Sequence, residues 1–168
     1  MDEKTLVKKA IRGDKDAFAA LYARYKDDLY RYAYFRLGNV EDACDAVSSC
    51  VTEAYVGIGN LREAGAFKGW IFRILFYICG RLIAERRQTR DRADVGELER
   101  LPSREDHLSP ELQEALASLD DTDREIVLLG VVAGYKSKEI ASMLSLNAST
   151  VRSRQARALA KMKAFWSD

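Results

Sequence analysis

Residues 137–156 read SKEIASMLSLNASTVRSRQA, and this stretch decides the fold of the C-terminal part of the chain. Four apolar residues have the spacing that locks two short helices together, namely Ile140, Leu144, Leu146 and Val151. Ala141 is small where the two backbones must approach closely, and residues 145–147 form the predicted turn. Glycine is common at the first position of such a turn, which Ser145 occupies here. The pattern predicts a helix-turn-helix.

The second helix of this pair has the side chains of a DNA-recognition helix. Its polar and basic residues at the candidate DNA face are Ser149, Thr150, Arg152, Ser153, Arg154 and Arg157. Short polar and arginine side chains near the start of a helix reach base edges and phosphates in a major groove. The buried side is predicted to hold Val151, Leu159 and Met162. We therefore predict DNA binding, with a basic amphipathic helix in a plain helical hairpin as the alternative.

Capping signals place four short helices in this C-terminal region. The predicted helix starts are Ser109 followed by Pro110, Thr122 with Glu125 in a capping box, Ser137, and Asn147. Upstream, residues 91–108 contain few large apolar side chains, one glycine and one proline, which is typical of a flexible linker. The helix-turn-helix domain is therefore placed at residues 109–168.

The first 90 residues also show helical periodicity, and convincing strand alternation is absent. A short helix over residues 3–12 is predicted to precede three longer amphipathic helices. These three cover residues 16–37, residues 40–58, and a stretch from about residue 66 into the arginines near residue 87. Gly38 is the predicted stop of the first of them. The predicted fold class is all-α, with two small helical domains, residues 1–90 and 109–168, joined by the acidic linker 91–108.

The net charge of +1 conceals a strong segregation of charge along the chain. Residues 81–92 carry five basic and two acidic side chains, and residues 126–168 carry seven and two. Between these basic zones, residues 93–125 carry three basic and eleven acidic side chains. Segregated charge attracts a polyanion locally even when the whole chain is nearly neutral. The alternative is that these charges only keep helix faces solvated.

Cysteine and histidine usage excludes most enzyme classes. Cys44, Cys50 and Cys79 form no C-x-x-C pair, and the only histidine, His107, lies in a polar run. No nucleotide-binding glycine motif occurs. The aspartates at 120, 121 and 123 stand at a predicted helix start, where the helix dipole accounts for them without a metal ion. We expect no enzymatic activity, no metal and no cofactor.

The chain also lacks the signals of an exported or membrane-bound protein. No stretch approaches the roughly 18 uncharged apolar residues that would span a bilayer. The first 18 residues lack the apolar core of a secretory signal. We therefore expect a cytoplasmic protein without a membrane partner.

Together these stretches resemble the bacterial sigma factors, and in particular the compact extracytoplasmic-function (ECF) type that keeps only regions 2 and 4. The matching segments are DACDAVSSCVTEAY at 42–55, AFKGWIFRI at 66–74, and REIVLLGVVAGYKSKEIASMLSLNASTVRSRQARAL at 124–159. The resemblance covers nearly the whole chain. It implies a subunit that binds core RNA polymerase at the clamp helices and flap, directs it to promoter DNA and helps to open the strands.

The resemblance implies a polymerase-binding role for one helix face. The residues concerned are Asp42, Asp45, Ser49, Thr52 and Glu53. Helical projection places these side chains opposite Val47, so they are predicted to face solvent. The family usually has Gln-Glu where this chain has Ser48-Ser49, which is expected to weaken clamp contacts.

The helix after residue 66 is implied to recognise the minus-10 element, and the second helix of the helix-turn-helix the minus-35 element. The resemblance assigns Asn60 and Arg62 to a loop that captures a flipped base, and we expect Arg81, Arg86 and Arg87 to face phosphates. Where the family usually has Arg-Asn, this chain has Phe76-Tyr77.

Three apolar residues of this helix project away from the stripe of Phe67, Trp70 and Ile74: Phe72, Phe76 and Ile83. They are predicted to pack against the N-terminal helix, and binding of DNA, polymerase or an inhibitor is the alternative.

Two other functions remain open at this point. A sigma-like protein with a weakened clamp face could act chiefly through a regulatory partner of the anti-sigma type. A free-standing helix-turn-helix regulator would normally dimerise on a palindrome.

Overall fold

The computed structural model describes residues 1–90 and 109–165, and throughout these ranges the regular structure is helical, without strands. The chain divides into two compact units, Met1–Arg100 and Leu101–Asp168. The prediction of an all-α fold is confirmed. Within the described ranges no helix has the length and apolar character needed to cross a membrane. The predicted linker, residues 91–108, lies outside the described residues, and the predicted domain limits stay predictions.

The described part of the first unit, residues 1–90, contains the α-helices α1 (Glu3–Ile11), α2 (Lys15–Leu37), α3 (Val40–Gly57) and α4 (Phe67–Arg90). Two short 3-10 turns, Ile58–Asn60 and Ala64–Ala66, connect α3 to α4. The corner between α2 and α3 needs a left-handed residue, and Gly38 supplies it at φ 82°. Asn39 then caps α3 by accepting the backbone N–H of Asp42 at 2.7 Å. The predicted helix end at Gly38 is confirmed.

The core of the first unit is aromatic and aliphatic. Its largest fully buried side chains are Tyr32, Phe67, Phe72, Leu21, Leu29, Ile71, Leu75 and Val7. Phe72 meets Tyr32 of α2 edge to face, with ring centroids 6.1 Å apart. Phe76 is also buried, and the guanidinium of Arg36 in α2 lies 4.7 Å from its ring centre. The predicted burial is confirmed for both phenylalanines, but these contacts are with α2 and not with the predicted N-terminal helix. Ile83 is half-buried.

The second unit contains α5 (Pro110–Ala117), α6 (Asp121–Val127), α7 (Ser137–Leu144) and α8 (Ala148–Lys163). A π-helical turn, Leu128–Val132, extends α6. The predicted cap at Ser109 is confirmed, because its hydroxyl accepts the N–H of Leu112 at 3.1 Å. Asn147 stands at the predicted N-cap position of α8.

Two predicted helix starts were wrong. Asp120, and not Thr122, caps α6, and its carboxylate accepts the N–H of Asp123 at 2.8 Å. The helix begins earlier because this carboxylate accepts the capping hydrogen bond and interacts favourably with the positive end of the helix dipole. Likewise α7 already includes Ser137, and Glu139 accepts the N–H of Lys136 at 2.9 Å.

Candidate nucleic-acid interface

α7, the turn at residues 145–147 and α8 form the predicted helix-turn-helix. Ser145 adopts the left-handed conformation, φ 57° and ψ 45°, and ends α7. The N–H of Leu146 donates to the Ala141 carbonyl at 2.9 Å and closes the turn. Ile140 and Val151 are completely buried where the two helices meet, and Ala141 is buried beside them. The predicted turn and the contact between its flanking helices are confirmed.

Ser145→Gly is expected to raise the free energy of unfolding of the second unit by about 1 kcal/mol. A residue with a Cβ is strained in the left-handed region, by roughly 1–2 kcal/mol, and glycine is not. Ser142→Gly is the matched control, because Ser142 is exposed inside α7, where glycine costs about 1 kcal/mol. Thermal unfolding of both variants measures the difference. Equal destabilisation by the two substitutions would show that Ser145 is unstrained.

The candidate DNA-contacting residues of α8 differ in their exposure to solvent. Ser149, Arg152, Ser153 and Arg157 are exposed, and Thr150 is partly exposed. The buried face consists of Val151, Ala158 and Met162, spaced by seven and four residues. The predicted burial of Leu159 was wrong, since this side chain is 41% exposed. One residue beyond Ala158, it is rotated by roughly 100° away from the buried face.

Arg154 differs from the other arginines of α8 because it forms ion pairs within the unit. Its Nη1 atom lies 3.0 Å from Oδ1 of Asp123 and 3.8 Å from Oδ1 of Asp120. The side chain of Arg154 is 34% exposed and that of Asp123 24%. Sequence reasoning missed this contact, although the acidic start of α6 was its visible signal.

In the first unit, α3 and α4 bring the candidate polymerase-binding and DNA-binding residues into contact. Asp45, Ser49, Thr52 and Glu53 of α3 are exposed, as predicted from the helical projection. Glu53 pairs with Arg81 of α4 at 3.2 Å, with both side chains largely exposed. The acidic face of α3 and the basic end of α4 are therefore neighbouring surfaces.

Asp42 and Arg86 form a second contact between these helices, and it is more enclosed. Arg86 donates one hydrogen bond to the Asp42 carboxylate and another, of 2.6 Å, to the Leu37 carbonyl at the end of α2. Both side chains are about one-third exposed. Burial of Asp42 favours its protonated form, but hydrogen bonds from Arg86 and Asn39 outweigh burial and lower the pKa of Asp42 below its ordinary value. Asp42 is only partly solvent-facing.

The remaining candidate residues of the first unit are exposed. Asn60 ends the first 3-10 turn, and Arg62 follows it in the segment before α4. Arg87 is exposed one position beyond Arg86. Over the described part of the chain, no group of three or more His, Cys, Asp or Glu side chains has an arrangement that could hold a metal ion.

The two units match the two DNA-recognition regions of one class of protein. Residues 21–91 match sigma-70 region 2, and residues 109–162 match sigma-70 region 4. This order of domains defines a sigma factor, a transcription initiation factor that directs RNA polymerase to promoters.

Full-length comparisons specify the type of sigma factor. The chain is 31% identical over 167 residues to the ECF RNA polymerase sigma factor BldN of Streptomyces coelicolor, covering 92% of this chain and 62% of BldN. It is 30% identical over 155 residues to the ECF sigma factor SigM of Mycobacterium tuberculosis, covering 90% of this chain and 78% of SigM. The chain belongs to the ECF family of RNA polymerase sigma factors.

Two solved structures have a similar fold. CnrH, solved in complex with the cytosolic domain of CnrY, has a TM-score of 0.69 at 26% identity, covering 98% of this chain and 96% of CnrH. The sigma factor RpoE of Bartonella quintana, solved with the anti-sigma factor NepR, shares the fold at a TM-score of 0.68 and 21% identity, covering 89% of this chain and 96% of RpoE.

Proposed function

We propose that this chain binds core RNA polymerase in the cytoplasm and directs it to specific promoters without catalysing a reaction itself. The second unit reads the minus-35 element with α8, and the first unit reads the minus-10 element and aids strand opening. The observation that carries the proposal is the exposed polar and basic start of α8, presented by the closed turn at Ser145.

We assign the minus-35 contacts to those polar and basic residues of α8 whose side chains are exposed. Ser149, Thr150 and Ser153 have short side chains suited to base edges, whereas Arg152 and Arg157 are long and charged. For the minus-10 element, Asn60 and Arg62 line the base-capturing segment, and Arg81 and Arg87 lie along the phosphate backbone. Arg86 belongs to the same basic end of α4, although its side chain is held by Asp42.

The polymerase clamp helices are proposed to dock on the outer face of α3. Asp45, Ser49, Thr52 and Glu53 are exposed there, and Asp42 stands at its edge. Tyr55 and Val56, which are 45% and 80% exposed, add apolar surface at the end of the same helix. Exposed apolar groups beside carboxylates suit a protein interface, where apolar burial supplements charge pairing.

Run-off transcription with core polymerase on a pool of genomic promoters tests the proposal. The wild-type chain is expected to form a complex with core on a sizing column and to produce transcripts from a limited set of promoters. Asp45→Arg is expected to weaken binding to core about tenfold, which corresponds to about 1.4 kcal/mol, because it places a cation in the acidic face. The matched control is Asp27→Arg, the same charge change at an exposed position of α2. Absence of both complex and transcript would refute the proposal.

We also propose a protein of the anti-sigma type as a regulatory partner. CnrH, the similar chain of known structure, was solved with a protein domain bound to it. If this partner rather than polymerase is the main target, affinity capture with the wild-type chain will recover the partner in large excess over core polymerase. A monomeric mass in the presence of promoter DNA would argue against a free-standing dimeric regulator.

A further inference from the structure

We infer that Arg154 is a positioning residue of the recognition helix, which holds α8 against the start of α6 and makes no phosphate contact. The inference rests on the proposed DNA-binding function of α8. It separates Arg154 from Arg152 and Arg157, although all three lie in the same basic stretch of sequence.

One of the two carboxylates near Arg154 is itself held by a hydrogen bond. Asp120 is the N-cap of α6, and its carboxylate accepts the N–H of Asp123. Both carboxylates lie at the positive end of the α6 dipole, which stabilises negative charge at this position. Arg154 therefore binds to an anionic anchor at the start of α6, at 3.0 Å from Asp123 and 3.8 Å from Asp120.

The rest of the α6 start is equally constrained. Asp121 pairs with Arg124 at 2.9 Å. Arg124 also donates to the carbonyls of Leu116 and Leu119 at 2.9 and 2.8 Å, which secures the corner between α5 and α6. Because the anchor cannot easily move, an ion pair to it restrains the part of α8 that carries Arg154. That part includes Val151 and the exposed Arg152 and Ser153, which face the proposed minus-35 element.

A phosphate contact by Arg154 would disrupt this arrangement. The guanidinium would have to leave Asp123, and two carboxylates would then lose their cation near the polyanionic DNA backbone. Arg152 and Arg157 face no such competition. Neither forms an ion pair with any residue that the structure describes, and both are exposed. Among the arginines of α8, phosphate neutralisation therefore comes from these two.

The salt dependence of DNA binding distinguishes the two roles. Each neutralised phosphate of duplex DNA contributes about −0.9 to the slope of log Kobs against log salt concentration. Loss of an arginine that contacts a phosphate lowers the magnitude of this slope by about 0.9. Loss of a positioning arginine weakens affinity, because the helix is less well placed, and leaves the slope unchanged.

The full-length chain is titrated by fluorescence anisotropy onto a duplex of about 30 base pairs between about 50 and 200 mM KCl. The duplex carries a promoter from the run-off assay or, if none is found, a random sequence. Arg157→Ala is expected to reduce the slope by about 0.9. Arg154→Ala is expected to weaken binding severalfold at an unchanged slope. Asp123→Ala is expected to weaken binding similarly, and the double variant no further, because both substitutions remove one interaction.

Two outcomes would overturn the assignment. One is a reduction of the slope in Arg154→Ala equal to that in Arg157→Ala. The other is tighter DNA binding by Asp123→Ala, which would mean that a released Arg154 reaches the phosphates.

A measurement without DNA keeps this assignment separate from the proposed function. Thermal unfolding of the two single variants and the double variant is expected to be non-additive by about 2–4 °C in Tm, as for a partly exposed ion pair. Suppose that the Tm changes are non-additive but the wild-type chain does not bind DNA. This result would refute the proposed DNA contacts and support the structural link between Arg154 and Asp123. Additive Tm changes would overturn the link itself, whether or not the chain binds DNA.

Discussion

Phe72→Ala is expected to lower the free energy of unfolding of the first unit by about 3–5 kcal/mol. Phe72 is completely buried and makes an edge-to-face contact with Tyr32, which is also completely buried. Truncation removes the apolar contacts and leaves a cavity between α2 and α4, because the surrounding helices relax only in part. Chemical denaturation of the full chain, followed by circular dichroism, measures the loss.

Tyr77→Ala is the control for Phe72→Ala. Tyr77 lies on the same helix but is 56% exposed, so its loss is expected to change stability by less than about 1 kcal/mol. Equal effects of the two substitutions would contradict the assignment of Phe72 to the core. They would reopen its alternative interpretation as part of a binding surface.

Arg86→Ala is expected to destabilise the first unit by about 2 kcal/mol. The substitution removes a charge-assisted hydrogen bond to Asp42. It also leaves the Leu37 carbonyl without its hydrogen-bond donor, the Arg86 guanidinium. Arg87→Ala, one position further along α4, removes the same charge from an exposed site and is expected to cost less than about 0.5 kcal/mol. Similar losses in both variants would contradict a structural role for Arg86.

The pH dependence provides an independent measurement on the same pair. The pKa of Asp42 is lower in the folded chain than its ordinary value, so ionised Asp42 stabilises the fold. This stabilisation is present above the unfolded pKa of about 3.9 and is lost as the pH falls through the lower, folded value. The stability difference between wild type and Asp42→Asn should therefore be constant above about pH 5 and shrink below about pH 4. A difference that grows on acidification would contradict the ion pair.

These contacts change how the candidate surfaces of the first unit are understood. From the sequence, the outer face of α3 is predicted to bind polymerase, and the basic end of α4 is predicted to bind DNA. Asp42 pairs with Arg86, and Glu53 pairs with Arg81, so each surface is partly neutralised by the other. The two proposed binding surfaces of this unit therefore share charged residues that pair with each other.

Local sequence predicted the helices and most of their ends well, because local rules control them. Gly38 was identifiable since the chain needs a left-handed residue after α2, and the turn at Ser145 followed from the spacing of Ile140, Leu144 and Val151. The buried side of α8 was predicted less well. Periodicity alone allowed Leu159 to be assigned to it, whereas the smaller Ala158 is the buried residue.

By itself the sequence determined the all-α class, the helix-turn-helix and the candidate basic residues, since spacing and capping act within about one helical turn. Only the tertiary structure decided which of those basic residues remain exposed. Arg154 and Asp123 are 31 positions apart, and Arg86 and Asp42 are 44 apart. Whether such charges meet depends on how two helices pack against each other. Periodicity specifies the helix face on which a residue lies, but not the partner that this face will contact.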